Sequence, residues 1–511
     1  RQMCIRDSAR LALRGAESRA LWLTRKTGTT LMKRGYAQAA QLKDPISLPC
    51  IDQHQLRERR FLQEDLADVA SEGEKLEVLG PEPSYSKVVS GFELFHYAHD
   101  FPLDYGKTLP GFQIAYETWG TLSAARDNVI LLHTGLSASS HAASTPVNTT
   151  TGWWEDFIGP GKALDTDRFY IICTNVLGSC YGSTGPSSTH PLDPTGAPYA
   201  TRFPVLSIFD MIRAQFLLLD HLGIERLYAS IGSSMGGMQS IAAAHLYPER
   251  VGRIVSISGC ARSSPSGIAL RFAQRSVLMA DPNWNRGFYY GQGQPPPHTG
   301  MKLARQIATI TYRSGPEWEQ RFGRQRRGVL CDENERIVPA LCPEFLVETY
   351  LDHQGEQFCF KYDANSLIYI SKTMDLFDMT DEALAELGAT RNLAHGEDGN
   401  LPIVQADPAD GLTDTTSRSG RKHITTIKHP GAHAYVPSLS RGLSRLRNTP
   451  VLVIGVQSDI LFPVEQQREL AECLRMIGNP SVVYYEIDAP HGHDSFLIDR
   501  VTVGGAVKGF L

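Results

Sequence analysis

Leu227-Tyr-Ala-Ser-Ile-Gly-Ser-Ser-Met-Gly-Gly-Met-Gln239 is the stretch whose reading decides the fold. Leu227 to Gly232 is a short run of apolar and small residues, the pattern of a buried parallel strand, and Met238 to Tyr247 has the composition of a helix. Between them, Gly232-Ser-Ser-Met-Gly236 matches G-x-S-x-G, the sharp strand-to-helix turn that exposes a serine oxygen above a sheet. The motif alone is weak. A strand before it, a helix after it and small residues at Gly232 and Gly236, where backbones must approach closely, make it specific.

The same rhythm extends to either side. Phe112 to Trp119 alternates like a strand, and Asn128 to His133 is an apolar run stopped by Thr134-Gly135. Phe169 to Thr174 runs into a Gly/Ser-rich loop from Gly178 to Ser188, and Ile208 to Leu222 has helical spacing and ends at Gly223. Val251 to Ser258 reads as another strand. The signals then turn helical (302–311, 344–352, 366–377) before Val451 to Val456 and Val482 to Ile487 resume the strand pattern. Alternating strands and helices predict a doubly wound, mostly parallel sheet, here the α/β-hydrolase fold, with ligands beyond the carboxyl ends of the strands. The helical block is expected to be a lid inserted into one sheet domain. An independent second domain is the alternative, but it would leave the last two strands without a sheet to join. The expected organisation is a catalytic domain over 91–258 and 446–511 and a lid over 259–445, with a polar, disordered stretch at 390–440.

A serine hydroxyl is a poor nucleophile unless a histidine takes its proton and a carboxylate orients that histidine. In this fold the chain order is Ser, acid, His, with the acid after a late strand and the histidine in a final loop. Ser234 is the expected nucleophile. Asp459 lies in the loop Gln457 to Pro463 after the strand at 451–456, and His491 and His493 both follow the last strand. The oxyanion of acyl transfer needs preorganised donors. One is expected from the backbone N–H of Met235, the other from Gly135 or Leu136 in the loop after the first buried strand. These residues allow a serine hydrolase or an acyltransferase. A non-catalytic binding protein of the same fold is a further alternative, but it would not need all three.

Composition narrows the field further. A net charge of −5 lacks the basic excess of a nucleic-acid binder, and no apolar stretch is long enough to span a bilayer, so neither nucleic acid nor membrane is an expected partner. The nine cysteines form no C-x-x-C pair, which argues against a zinc site or a disulfide framework and for reduced thiols inside the cell. No metal site is expected. Because the sequence opens on Arg1 rather than Met, the terminal reading starts at Ala9. From there to Ala40 lie Arg10, Arg14, Arg19, Arg25, Lys26, Lys33 and Arg34, with Glu17 the only acid. Such a segment is expected to be a mitochondrial presequence over 1–40, followed by a linker over 41–90. A basic tail on a cytoplasmic protein is the alternative.

Five blocks carry a resemblance: Asn175 to Ser188, Gly232 to Gln239, Asp281-Pro-Asn-Trp284, Tyr362-Asp-Ala-Asn365 and Gly492-His-Asp-Ser-Phe-Leu497. Together they resemble the homoserine O-acetyltransferase family over residues 90 to 500, outside the insertion. The resemblance implies a catalytic histidine in a Gly-His-Asp triplet, hence His493 rather than His491. It implies that Arg305 holds the substrate carboxylate, that Asp494 binds the substrate ammonium, and that a homodimer forms through the lid. It also implies acetyl-CoA or succinyl-CoA as acyl donor, with no bound cofactor. Typical members carry Gly-Gly-Ser-Met-Gly-Gly at the elbow and a Gly-Gly-Cys segment earlier; here Ser233 and Ser179 intervene, and the loop His133 to His141 also departs. These departures resemble the branch that acylates L-serine in cysteine biosynthesis. L-Homoserine, in methionine biosynthesis, is the alternative acceptor.

Overall fold

The computed structural model describes residues 89–291, 294–326, 343–396 and 434–511. All of them belong to one of the two units into which the chain separates, that of Leu62–Pro339 and Pro343–Leu511. The expected presequence, all but the last two residues of the linker, and residues 397–433 of the expected disordered stretch lie outside the described residues.

Eight strands form one sheet: β1 (Glu93–Tyr97), β2 (Phe112–Trp119), β3 (Val129–His133), β4 (Tyr170–Thr174), β5 (Ala229–Ser233), β6 (Ile254–Ile257), β7 (Val451–Val456) and β8 (Val482–Ile487). Their spatial order is β1-β2-β4-β3-β5-β6-β7-β8. The first two strands pair antiparallel, β2 is antiparallel to β4, and every later pairing is parallel. Sequence reading missed β1, a short edge strand with one buried residue, Phe95, and hence no apolar run to find.

Strands β3, β5, β6 and β7 are buried at every position, as parallel strands covered on both faces must be. Alternate residues serve opposite cores: Val129 and Leu131 join one apolar cluster, Ile130 and Leu132 the other. The first is covered by α1 (Ile208–His221) and α2 (Met235–Leu246). Every residue of α2 is buried, which explains why its sequence shows no polar face and why its start was read three residues late.

Strands β6 and β7 are direct neighbours, with Ile254 opposite Val451, although the chain between them contains a whole helical layer. This layer comprises α3 (Pro265–Met279), α4 (His298–Tyr312), α5 (Gly315–Phe322), α6 (Leu346–Cys359), α7 (Ala364–Asp375), α8 (Asp381–His395) and α9 (Val436–Gly442). Helix α4 packs between α3 and α6, and α7 packs on α3. The expectation of disorder across 390–440 is wrong at its edges. Residues 390–395 complete α8, where buried Arg391 sits 3.4 Å from buried Asp104, and α9 occupies 436–442. Polar composition misled there, because a long-range ion pair holds a helix end that its own sequence does not advertise. The chain closes with α10 (Val464–Met476), α11 (Ser495–Ile498) and α12 (Thr502–Phe510). Among the described residues no helix is long and apolar enough to cross a membrane.

Candidate active site

Ser234 caps the N-terminus of α2 at φ 59°, ψ −124°, a conformation that costs a non-glycine residue about 1–3 kcal/mol and persists only where surroundings enforce it. The enforcement is steric. A Cβ on Gly232 would lie 2.2 Å from the Gly236 carbonyl, and one on Gly236 would lie 2.5 Å from the His133 carbonyl oxygen. Only glycines at both positions let strand, turn and helix approach this closely. The Ser234 N–H donates to the Ile257 carbonyl of β6 (2.9 Å), locking the turn to the next strand.

The predicted acid and histidine meet at the same end of the sheet. Asp459 is buried in the loop after β7. Its Oδ1 accepts the N–H groups of Leu461 and Phe462, each at 2.9 Å, and its Oδ2 lies 2.7 Å from His493 Nδ1. The His493 ring is stacked on Phe462 and met edge-on by Phe496. Burial disfavours the imidazolium, but the Asp459 carboxylate, through charge and hydrogen bond, and Asp494 outweigh it, so the pKa of His493 is raised. The opposite ring nitrogen, Nε2, is buried without a partner among the described residues. His493 and Ser234 line one cavity of about 390 Å³, whereas His491 does not.

Gly135 and Leu136 line this cavity too. The Thr134 carbonyl accepts from Gln239 Nε2 (2.9 Å), whose own Oε1 accepts from Gln215, and the Leu136 carbonyl accepts from Tyr362 Oη (2.7 Å). With both carbonyls pinned, the peptide units between them have a fixed orientation beside Ser234. As the first residue of α2, Met235 has no intrahelical acceptor for its N–H.

Arg305 and Asp494 also line the cavity. The Arg305 guanidinium lies over Phe358 at 4.5 Å and Tyr312 at 5.1 Å, makes no ion pair among the described residues, and has a buried, unpartnered Nε. Asp494 already has a cationic neighbour, Arg313 at 3.3 Å. Burial pushes its carboxyl up to about 6 against the opposing charges of Arg313, His493 and Arg305. Of the three departures noted in the sequence, Ser233 and the loop from Gly135 to Ala138 line the cavity, while Ser179 is buried away from it.

Sequence reading missed Tyr312, Arg313, Arg271 and Gln274, all of which line the cavity. A faint signal exists for Tyr312: Arg305, Ala308 and Tyr312 recur at i, i+3 and i+7 on α4 and so share one face. Arg313, just past the helix, and the pair on α3 have no local signature, because tertiary packing aims them.

A model of the α/β-hydrolase fold family matches residues 128–499. A serine O-succinyltransferase of Schizosaccharomyces pombe is 55% identical over 487 residues, covering 91% of this chain and 94% of its own. Another, of Emericella nidulans, is 53% identical and covers 91% and 87%. Among solved structures, a homoserine O-acetyltransferase from Bacillus anthracis superposes with a TM-score of 0.63 at 26% identity, over 82% of this chain and 97% of that one. Esterase E22 superposes with a TM-score of 0.62 at 26% identity, over 82% and 99%.

Proposed function

The chain belongs to the α/β-hydrolase fold family, on the branch that holds the serine O-succinyltransferases, and from that membership we propose that it moves an acyl group from coenzyme A to the side-chain hydroxyl of L-serine through an acyl-Ser234 intermediate. The observation that carries this reading is His493, anchored on Asp459 through Nδ1 and presenting an unpartnered Nε2 in the cavity that Ser234 lines. In the first half-reaction His493 Nε2 takes the Ser234 proton as Oγ attacks the thioester carbonyl. The N–H groups of Met235 and of Gly135 or Leu136 receive the oxyanion. The thiolate of coenzyme A leaves and takes the proton from His493. In the second half, His493 deprotonates the serine hydroxyl, which attacks the Ser234 ester and regenerates the free enzyme. Arg305, with no ion pair among the described residues, suits the serine carboxylate, and Asp494 suits the ammonium. The helices over the cavity act as a lid that keeps water from the ester.

The relatives' names favour succinyl-CoA as donor; the structural neighbour from Bacillus anthracis is an acetyltransferase. Similarity to esterase E22 supports a second reading, hydrolysis by the same three residues. One experiment separates these: free thiol is followed with succinyl-CoA and acetyl-CoA, each without acceptor, with L-serine and with L-homoserine. We expect thiol release to depend on the amino acid, with kcat/KM for L-serine about 10- to 200-fold above that for L-homoserine, the range that one methylene distinguishes. A larger value for homoserine would refute the acceptor. Full-rate release without an amino acid would instead establish the hydrolase.

A further inference from the structure

On α3, one turn apart, stand Arg271 and Gln274, both buried and both lining the cavity that Ser234 lines. Arg271 donates from Nε to Asp375 at 2.6 Å, and one η nitrogen donates to Ser263 Oγ at 3.1 Å; the other η nitrogen has no partner among the described residues. Asp375 is shared, since Arg275 donates to its second oxygen at 2.5 Å. Two buried guanidinium groups therefore face a single carboxylate, and among the described residues no other acid lies within ion-pair distance of either. A surplus positive charge in a poorly solvated place is costly unless an anion arrives. Gln274 is 6% exposed, and its amide forms no hydrogen bond with any described residue. An amide that borders the cavity without a partner among the described residues is free to donate to a ligand there.

We infer that Arg271 and Gln274 form the subsite for the distal carboxylate of the donor's acyl chain, and so select a dicarboxylic monothioester over acetyl-CoA. This rests on the acyltransferase reading above and deepens it. The charges match: O-succinyl-L-serine carries two carboxylates and one ammonium. The cavity offers Arg305 for one carboxylate, Asp494 for the ammonium, and the unbalanced Arg271 for the second carboxylate. Their i, i+3 spacing puts guanidinium and amide on one helix face, where each can donate to one oxygen of a carboxylate. Leu367 and Met374 provide apolar wall for the two methylenes. An acetyl group would leave both donors unanswered.

The test compares kcat/KM for succinyl-CoA and acetyl-CoA, with saturating L-serine, in wild type, Gln274→Leu and Arg271→Lys. Melting temperatures are measured alongside. Because Gln274 has no partner among the described residues to lose, that variant is expected to fold normally and to lower the succinyl-to-acetyl ratio at least about tenfold. Arg271→Lys keeps the charge but loses the fork, and is expected to lower the ratio too. As a readout independent of turnover, free succinate should inhibit the wild type competitively against succinyl-CoA and inhibit Gln274→Leu more weakly. A ratio unmoved by Gln274→Leu, or a wild type that prefers acetyl-CoA, overturns the subsite while leaving acyl transfer standing. Absence of serine-dependent thiol release with either donor would overturn the acyltransferase reading itself.

Discussion

Ser234 is held at positive φ by glycines on either side, while Ser233, the last residue of β5, keeps ordinary strand geometry although it too borders the cavity. Only one of the two adjacent hydroxyls is on the strained turn. Ser234→Ala is therefore expected to abolish both transfer and the trapped acyl-enzyme, with melting unchanged, whereas Ser233→Ala retains turnover; mass spectrometry of quenched enzyme locates the acyl group. His493 supplies a second prediction. Its pKa is raised above the ordinary 6.5, so it keeps its proton to higher pH than a free imidazole would, and the neutral form that can act as base accumulates only as pH rises through that value. The acid limb of kcat/KM for the acyl-CoA half-reaction should thus lie above pH 6.5. Asp494→Asn removes one of the negative charges that hold the proton, and should shift that limb to lower pH. A limb that stays in place would show that Asp494 does not act on His493.

At the scale of elements, the wholly buried α2 does more than carry Ser234. Its Gln239 reaches across to the Thr134 carbonyl and so fixes the loop after β3. Gln239→Leu leaves that buried carbonyl unsatisfied, at a cost of about 1–3 kcal/mol, and frees the Gly135 and Leu136 peptides to turn. Because an oxyanion donor acts in the transition state rather than in the ground state, kcat should fall about tenfold or more while KM moves little. Chemical denaturation measures the first effect, and steady-state kinetics the second. A change in KM alone would mean that the loop binds substrate rather than stabilising charge. The contrast between α2 and α8 shows what local pattern can carry: α2 was legible from its flanking motif, whereas the end of α8 depends on Arg391 meeting Asp104, nearly three hundred residues away in the chain.

At the scale of the molecule, the Arg-rich, acid-poor segment before Ala40 supports the proposal that the protein enters mitochondria. A fluorescent reporter carrying residues 1–60 should be imported and cleaved near Arg34 to Ala40; a reporter that stays in the cytosol counts against it. The sheet itself was largely legible. Seven of its eight strands announce themselves as apolar runs or alternating patterns, because a strand covered on both faces must be apolar throughout. That Ser234, Asp459 and His493 lie at one end of the sheet was legible for a related reason: chain order and loop position are properties of sequence. What no reading of the chain could supply is how the helical layer that the chain inserts between β6 and β7 packs. That layer decides that Asp494 already faces Arg313, that Arg305 lies over two aromatic rings without an ion pair among the described residues, and that Arg271 shares one carboxylate with Arg275 while Gln274 has no partner among the described residues. Periodicity tells which face of a helix is buried, but not what lies opposite it. Charge balance and hydrogen-bond satisfaction are properties of neighbours in space, so only the tertiary structure determines them.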